Sequence, residues 1–213
     1  MFLSLLKVKN NWDDAWKSPD FRLKMLIFLL IDAGILIAFP YFFHWIESRT
    51  GTHLSDPLIE NIPAIDFSIP VFGIVWGAGL VLARRASLSP QVLLVFLAGY
   101  ALLTLSRFLS ITLLPLEAPQ NLIPLVDPLT NYFYAGKYIT KDLFFSGHTA
   151  TATLLALAVR GPWRKVLAAI ALAVGILVLV QHVHYTYDVL AAPFFAWAAY
   201  WLAGRVSRGG VSA

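Results

Sequence analysis

The chain has 213 residues, 59% of them hydrophobic and 13% charged. Soluble domains carry about 25% charged residues, so this composition points to lipid as the surrounding medium. The absence of cysteine excludes disulfides, thiolate nucleophiles and Cys-ligated metals, and the net charge of +4 does not argue for nucleic acid because of where the basic residues fall.

Residues 1–20 place Leu3, Leu5, Leu6, Trp12 and Trp16 among Lys7, Lys9 and Lys17. This is the pattern of a short interfacial segment with tryptophans at headgroup depth, or of a cytosolic tail. Its apolar stretch is too short for a cleavable signal and lacks a small-residue cleavage site. Apolar runs follow at 21–43, 67–83, 90–114, 143–159, 163–182 and 186–204. Each falls in the range of about 17–25 residues that crosses a bilayer as a helix. The expected fold is therefore all-α: a polytopic membrane protein, a six-transmembrane-helix bundle. One membrane domain fills 21–204, and 205–213 form a cytoplasmic tail. Pro90 and Pro162 open two of the spans, where a missing N–H costs nothing. Pro40 and Pro193 lie inside or near the ends of spans and are candidate kinks. Gly73 and Gly77 form a G-x-x-x-G pair that reads as a packing face. The long connections, 44–66 and 115–142, read as ordered loops over one membrane surface.

Lys and Arg set the expected orientation. Twelve of the sixteen basic residues fall on one side if the N-terminus is inside: Lys7, Lys9, Lys17, Arg22, Lys24, Arg84, Arg85, Arg160, Arg164, Lys165, Arg205 and Arg208. Both termini are then cytoplasmic, and the long loops face the outer side, whether periplasmic, lumenal or extracellular. That topology brings polar groups from three distant stretches to one depth. Arg107 lies in the outer half of the third span, Asp142, Ser146, Gly147 and His148 where the fourth begins, and His184 and Asp188 about the turn from the fifth to the sixth. Ionisable groups at membrane depth are costly and mark a functional site by default.

Their chemistry is mutually consistent. His184 and Asp188, four apart, share one helix face. A carboxylate on one imidazole nitrogen fixes the tautomer and leaves the other nitrogen as nucleophile or base. The run Phe145 to Thr149 opens a helix whose first N–H groups attract an anion, and Gly147 lets the backbone approach closely. Arg107 adds a bidentate clamp on phosphate oxygens, and His148 is placed to protonate a leaving oxygen. Lys141 either binds phosphate or merely solvates the loop. A lone intramembrane His or Asp can simply bond across helices, and Arg107 can snorkel to the headgroups. His148, His184 and Asp188 could instead hold a metal as a two-His, one-carboxylate set, although the neighbouring Arg107 and the helix start favour phosphate. A transporter using the same cluster would show repeated or broken helices, and no repeat is visible. Asp32, alone in mid-span one, reads as a packing or structural group, His182 as a loop residue; His44 and His53 support no assignment.

The stretches Asp142–Thr149 and His184–Val189 resemble two signature motifs of the sphingomyelin synthase family, a branch of the phosphatidic acid phosphatase type 2 superfamily. Arg107, with Pro115 after it, resembles the basic second motif more loosely. The resemblance implies a six-span core over 21–204 and a lipid phosphotransferase without metal or other cofactor. His184 would attack a phospholipid headgroup to form a phosphohistidine, oriented by Asp188, and His148 would act as acid and then base. Arg107, Ser146, Gly147, Asp142 and Lys141 would bind the phosphate. A ceramide- or diacylglycerol-like acceptor would make the enzyme a transferase, and water a phosphatase or phospholipase. Two departures bear on this: Thr140 and Lys141 stand where the synthases usually have Cys-Gly, and Val178 replaces the Arg of the broader superfamily, whose Lys-x6-Arg-Pro motif is also absent. The implied partners are membrane lipids; oligomeric state is not legible.

Overall fold

A computed structural model describes residues 12–126 and 138–208. The described chain is helical, and six helices form its body: α1 (Pro19–Glu47), α2 (Ser68–Leu88), α3 (Pro90–Leu113), α4 (Gly147–Ala158), α5 (Trp163–Val180) and α6 (Thr186–Arg208). Five of them, all but α4, are long and apolar enough to cross a membrane. Their exteriors are apolar: Leu30, Ile37, Leu80, Leu113, Leu172 and Leu190 are all more than half exposed. An exterior this apolar on helices of this length suits lipid rather than water as the surroundings.

The fourth expected span is shorter than 143–159. At about 1.5 Å per residue, the 12 residues of α4 reach only part of the way through a hydrocarbon layer. The helix cannot start earlier because Ser146 caps it, its hydroxyl accepting from the Thr149 N–H at 3.4 Å. The non-helical backbone of 138–146 continues the path through the bundle, where surrounding protein replaces lipid. At its far end Gly161, with φ +83°, turns the chain into α5. α4 is the central helix, packed on α3, α5 and α6. Small residues make this close approach possible: Ala150 meets Ala192 and Ala196 in one core cluster, and Ala156 meets Ala78 in another.

The other differences are at element ends. α1 begins at Pro19 behind its cap, Ser18, and runs four residues beyond its expected end. α6 continues to Arg208, four residues into the expected tail. Residues 1–11 of the expected interfacial segment lie outside the described residues. Its remainder is helical at 12–17, and Trp12 donates to the Ala86 carbonyl at 3.1 Å. This end of the bundle is therefore stitched from α1 to the end of α2.

The long loops cover the opposite end and are tied to each other. Thr52 and Leu116 form a parallel bridge. Gly51 sits against it so closely that a Cβ would lie 2.5 Å from the Leu116 carbonyl carbon. Arg49 donates to the Ile111 and Thr112 carbonyls at the end of α3, using orphan acceptors that every helix leaves there.

Candidate active site

The turn from α5 into α6 is fixed before any chemistry is considered. Ile65 N–H donates to the Val180 carbonyl at 3.1 Å. Tyr185 donates its hydroxyl to the Glu117 carbonyl at 3.0 Å. Asp56, from the first long loop, accepts from both the backbone N–H and the hydroxyl of Thr186, at 2.6 and 3.0 Å, and so caps α6 from another part of the chain. His184 and Asp188 are thus held by both long loops at once.

Within this frame Asp188 is fully buried and its Oδ2 is 3.3 Å from His184 Nδ1. The same oxygen accepts from Tyr185 N–H at 3.1 Å, and the Asp188 carbonyl accepts from Ser146 N–H at 3.1 Å. One residue therefore orients the imidazole and anchors the start of α4. With Nδ1 directed at the carboxylate, Nε2 is the nitrogen that remains for chemistry.

The His184 ring lines a cavity of about 580 Å³ together with His148, Asp142, Thr151 and Tyr100. Aromatic side chains from three helices form much of its wall: Phe39 and Phe43 from α1, Phe72 and Trp76 from α2, Phe96 and Tyr100 from α3. His148 stands edge-on to Phe72, with ring centroids 5.9 Å apart. The two imidazoles come from α4 and from the α5–α6 turn, 36 positions apart, and face the same space.

Arg107 is 8% exposed. Its Nε donates to the Phe145 carbonyl at 3.1 Å, and its Nη2 pairs with Asp142. The guanidinium lies on Gly147 so closely that a Cβ there would be 2.5 Å from Arg107 Cζ. The first turn of α4 and the guanidinium thus share one face, two elements suited to an anion.

Two other candidates sit elsewhere. Ser146 is completely buried, and its hydroxyl contacts Thr149 as a helix cap rather than facing the cavity. Lys141 turns its ammonium to the Glu117 carboxylate, 2.9 Å away, and to the Arg49 carbonyl. Its backbone N–H donates to Glu47, which also receives the Thr140 N–H and hydroxyl. Lys141 fastens the cavity wall to the loops and is not among the residues lining the cavity. Asp32 is buried, and neither carboxyl oxygen has a hydrogen-bond partner among the described residues, so the structural bond expected of it is not formed among them. Among the described residues no three imidazole or carboxylate groups converge closely enough to hold a metal ion.

Sequence reasoning missed Tyr100, Phe72 and Trp76 as cavity walls, since an aromatic in an apolar helix looks the same whether it meets lipid or a cavity. It missed Asp56 because the group it caps is 130 positions away. No curated protein matches the chain. Residues 141–204 match the family model described as PAP2 superfamily C-terminal, a segment that contains Asp142, His148, His184 and Asp188. Over that segment the chain is similar to the phosphatidic acid phosphatase type 2 superfamily, whose members are typically membrane-associated lipid phosphatases or phosphotransferases.

Proposed function

We propose that this protein is an integral membrane phosphotransferase that moves a phosphate-containing headgroup from a phospholipid to a lipid hydroxyl, such as that of a ceramide or a diacylglycerol. The observation that carries the reading is the His184–Asp188 pair, with the His184 ring opening into a cavity that His148 also lines. The resemblance of Asp142–Thr149 and His184–Val189 to the sphingomyelin synthase motifs supports the transferase form.

In the mechanism, His184 Nε2 attacks phosphorus and forms a P–N bond, while the P–O bond to the departing diacylglycerol breaks. His148, as imidazolium, gives its proton to that oxygen. The acceptor hydroxyl then loses its proton to His148 and attacks the phosphohistidine, the P–N bond breaks, and both imidazoles return to their starting states. Arg107 and the first N–H groups of α4 stabilise the charge that gathers on the phosphoryl oxygens. Asp188 neutralises the positive charge that develops on the His184 ring. Arg107 is already paired with Asp142, and Lys141 with Glu117. Little spare positive charge therefore faces the cavity from the described residues. This supports a singly charged phosphodiester as donor over a doubly charged phosphomonoester. Aromatic walls support a lipid acceptor over water.

The site belongs on the non-cytoplasmic side in this reading. The end of the bundle away from it carries Lys17, Arg22, Lys24, Arg84, Arg85, Arg160, Arg164, Lys165 and Arg205, and such residues concentrate in the cytoplasm.

The test incubates purified protein with headgroup-labelled phospholipid, with and without ceramide or diacylglycerol, and identifies products by mass spectrometry. Transfer to the added lipid and acid-labile label on the protein are expected, and His184→Ala should lose both. Release of free phosphoester with no transfer would establish the hydrolase. Flux across proteoliposomes without bond cleavage would establish a transporter. Full turnover in His184→Ala ends the proposal.

A further inference from the structure

α5 and α6 both pack on α4, but they touch each other little. Between them runs a groove of about 570 Å³, floored by α4, that reaches from Leu58 and Leu179 at the loop end to Arg164 at the opposite end. It shares no lining residue with the His184 cavity. α4 turns His148, Thr151 and Leu155 to that cavity and Thr149, Thr153 and Ala156 to the groove, so the two spaces lie on different sides of one helix.

The three threonines along the groove are already bonded within the protein. Thr153 donates its hydroxyl to the Thr149 carbonyl at 2.8 Å, the Thr149 and Ser146 hydroxyls pair at 3.1 Å, and Thr186 donates to Asp56 at 3.0 Å. The remaining walls are aliphatic apart from Arg164. Between its ends the groove thus matches a hydrocarbon chain and gives a polar headgroup nothing to bind.

The ends differ. Leu58 and Leu179 close the loop end with apolar surface, whereas Arg164 is the one charged residue lining the groove. Arg160 precedes the turn from α4 to α5, and Arg164 and Lys165 follow it. All three are exposed, and none forms an ion pair among the described residues. Trp163 stands among them, 43% exposed, as an indole at headgroup depth does. Basic side chains at the mouth of a pocket between membrane helices attract anionic headgroups.

We infer that this groove binds an anionic phospholipid from the leaflet at the end of the bundle away from the active site. Its phosphate sits on Arg164, with Arg160 and Lys165 beside it, and one acyl chain lies along α4 between α5 and α6. The lipid is a resident rather than a substrate: it backs the helix that carries His148 and stays apart from the cavity where His148 and His184 face each other.

The test places the full-length protein in detergent micelles holding equal amounts of dioleoyl phosphatidylglycerol and dioleoyl phosphatidylcholine, and counts retained lipids by native mass spectrometry. The two lipids carry the same chains, so a preference between them reports the headgroup. Wild type should retain phosphatidylglycerol about tenfold over phosphatidylcholine. Arg164→Gln should lower that preference about fivefold, the effect of one basic residue near the surface. Ala168 is an exposed residue of the groove wall, so Ala168→Phe fills the space without entering the core and should abolish retention of the lipid. Arg84→Gln removes an exposed cation of α2 at the same end of the bundle but off the groove, and should change nothing. Glycerol phosphate in about 100-fold excess should not displace the lipid, because the chain supplies much of its affinity. Equal retention of the two lipids by wild type overturns the inference, as does unchanged retention in Ala168→Phe. An equal loss in Arg84→Gln and Arg164→Gln overturns it in favour of general surface charge, and displacement by glycerol phosphate in favour of a plain anion site.

Discussion

Gly147 has no side chain because the Arg107 guanidinium occupies the space a Cβ would need. Gly147→Ala should therefore leave α4 helical, since alanine is the better helix former, while forcing the guanidinium off the first turn. A displacement near 1 Å at a reacting centre costs about 100-fold, so kcat/KM should fall by that order with the unfolding temperature nearly unchanged. Steady-state turnover beside a thermal melt separates the two. Asp188→Asn leaves a neutral acceptor on His184 Nδ1 and removes the charge that balances the imidazolium. A loss of about 10⁴ in kcat is expected by analogy with other carboxylate-oriented histidines, measured with the same labelled lipid. At the loop surface, Glu117 sits below the ordinary carboxylate value of 4.5, chiefly because Lys141 and the Gly51 N–H bond to it. A depressed carboxyl contributes stability that is present above 4.5 and lost as pH falls through its folded value. Glu117→Gln should accordingly flatten the decline of melting temperature below about pH 4.5, and a melt series in acid reads it.

At the scale of elements, α4 decides the geometry of the site. Its start is fixed by the Ser146 hydroxyl on one side and by the bond from Ser146 N–H to the Asp188 carbonyl on the other. Ser146→Ala should cost about 1 kcal/mol, as loss of an N-cap does, seen as a lower denaturation midpoint. Turnover should fall as well, because the same residue fixes where His148 stands. The α5–α6 turn adds to its own local bonds a second set that runs to distant loops. That explains how a short turn holds His184 and Asp188 in place.

For the whole molecule, large apolar side chains cover the outside of the bundle as well as filling its core. Leu172, 67% exposed on α5, lies on the apolar exterior of a helix long enough to cross a membrane. Leu172→Arg should impair insertion by about 2.5–3.5 kcal/mol near the helix centre, read as loss of protein from the membrane fraction. A change to Ile should have no such effect.

Composition, run lengths and the positions of Lys and Arg were enough to announce a helical membrane protein, because burial in lipid is a demand on each segment separately. His184, Asp188 and His148 were legible for a related reason: charge is so costly at membrane depth that its presence is itself a signal, and a four-residue spacing on a helix start is local geometry. The short α4, the diversion of Lys141 to Glu117 and Asp56 capping α6 left no such trace. Each depends on which loop folds over which helix, a competition among distant partners that differ by only a few hydrogen bonds. Only the assembled bundle, where one partner is in reach and the others are not, resolves it.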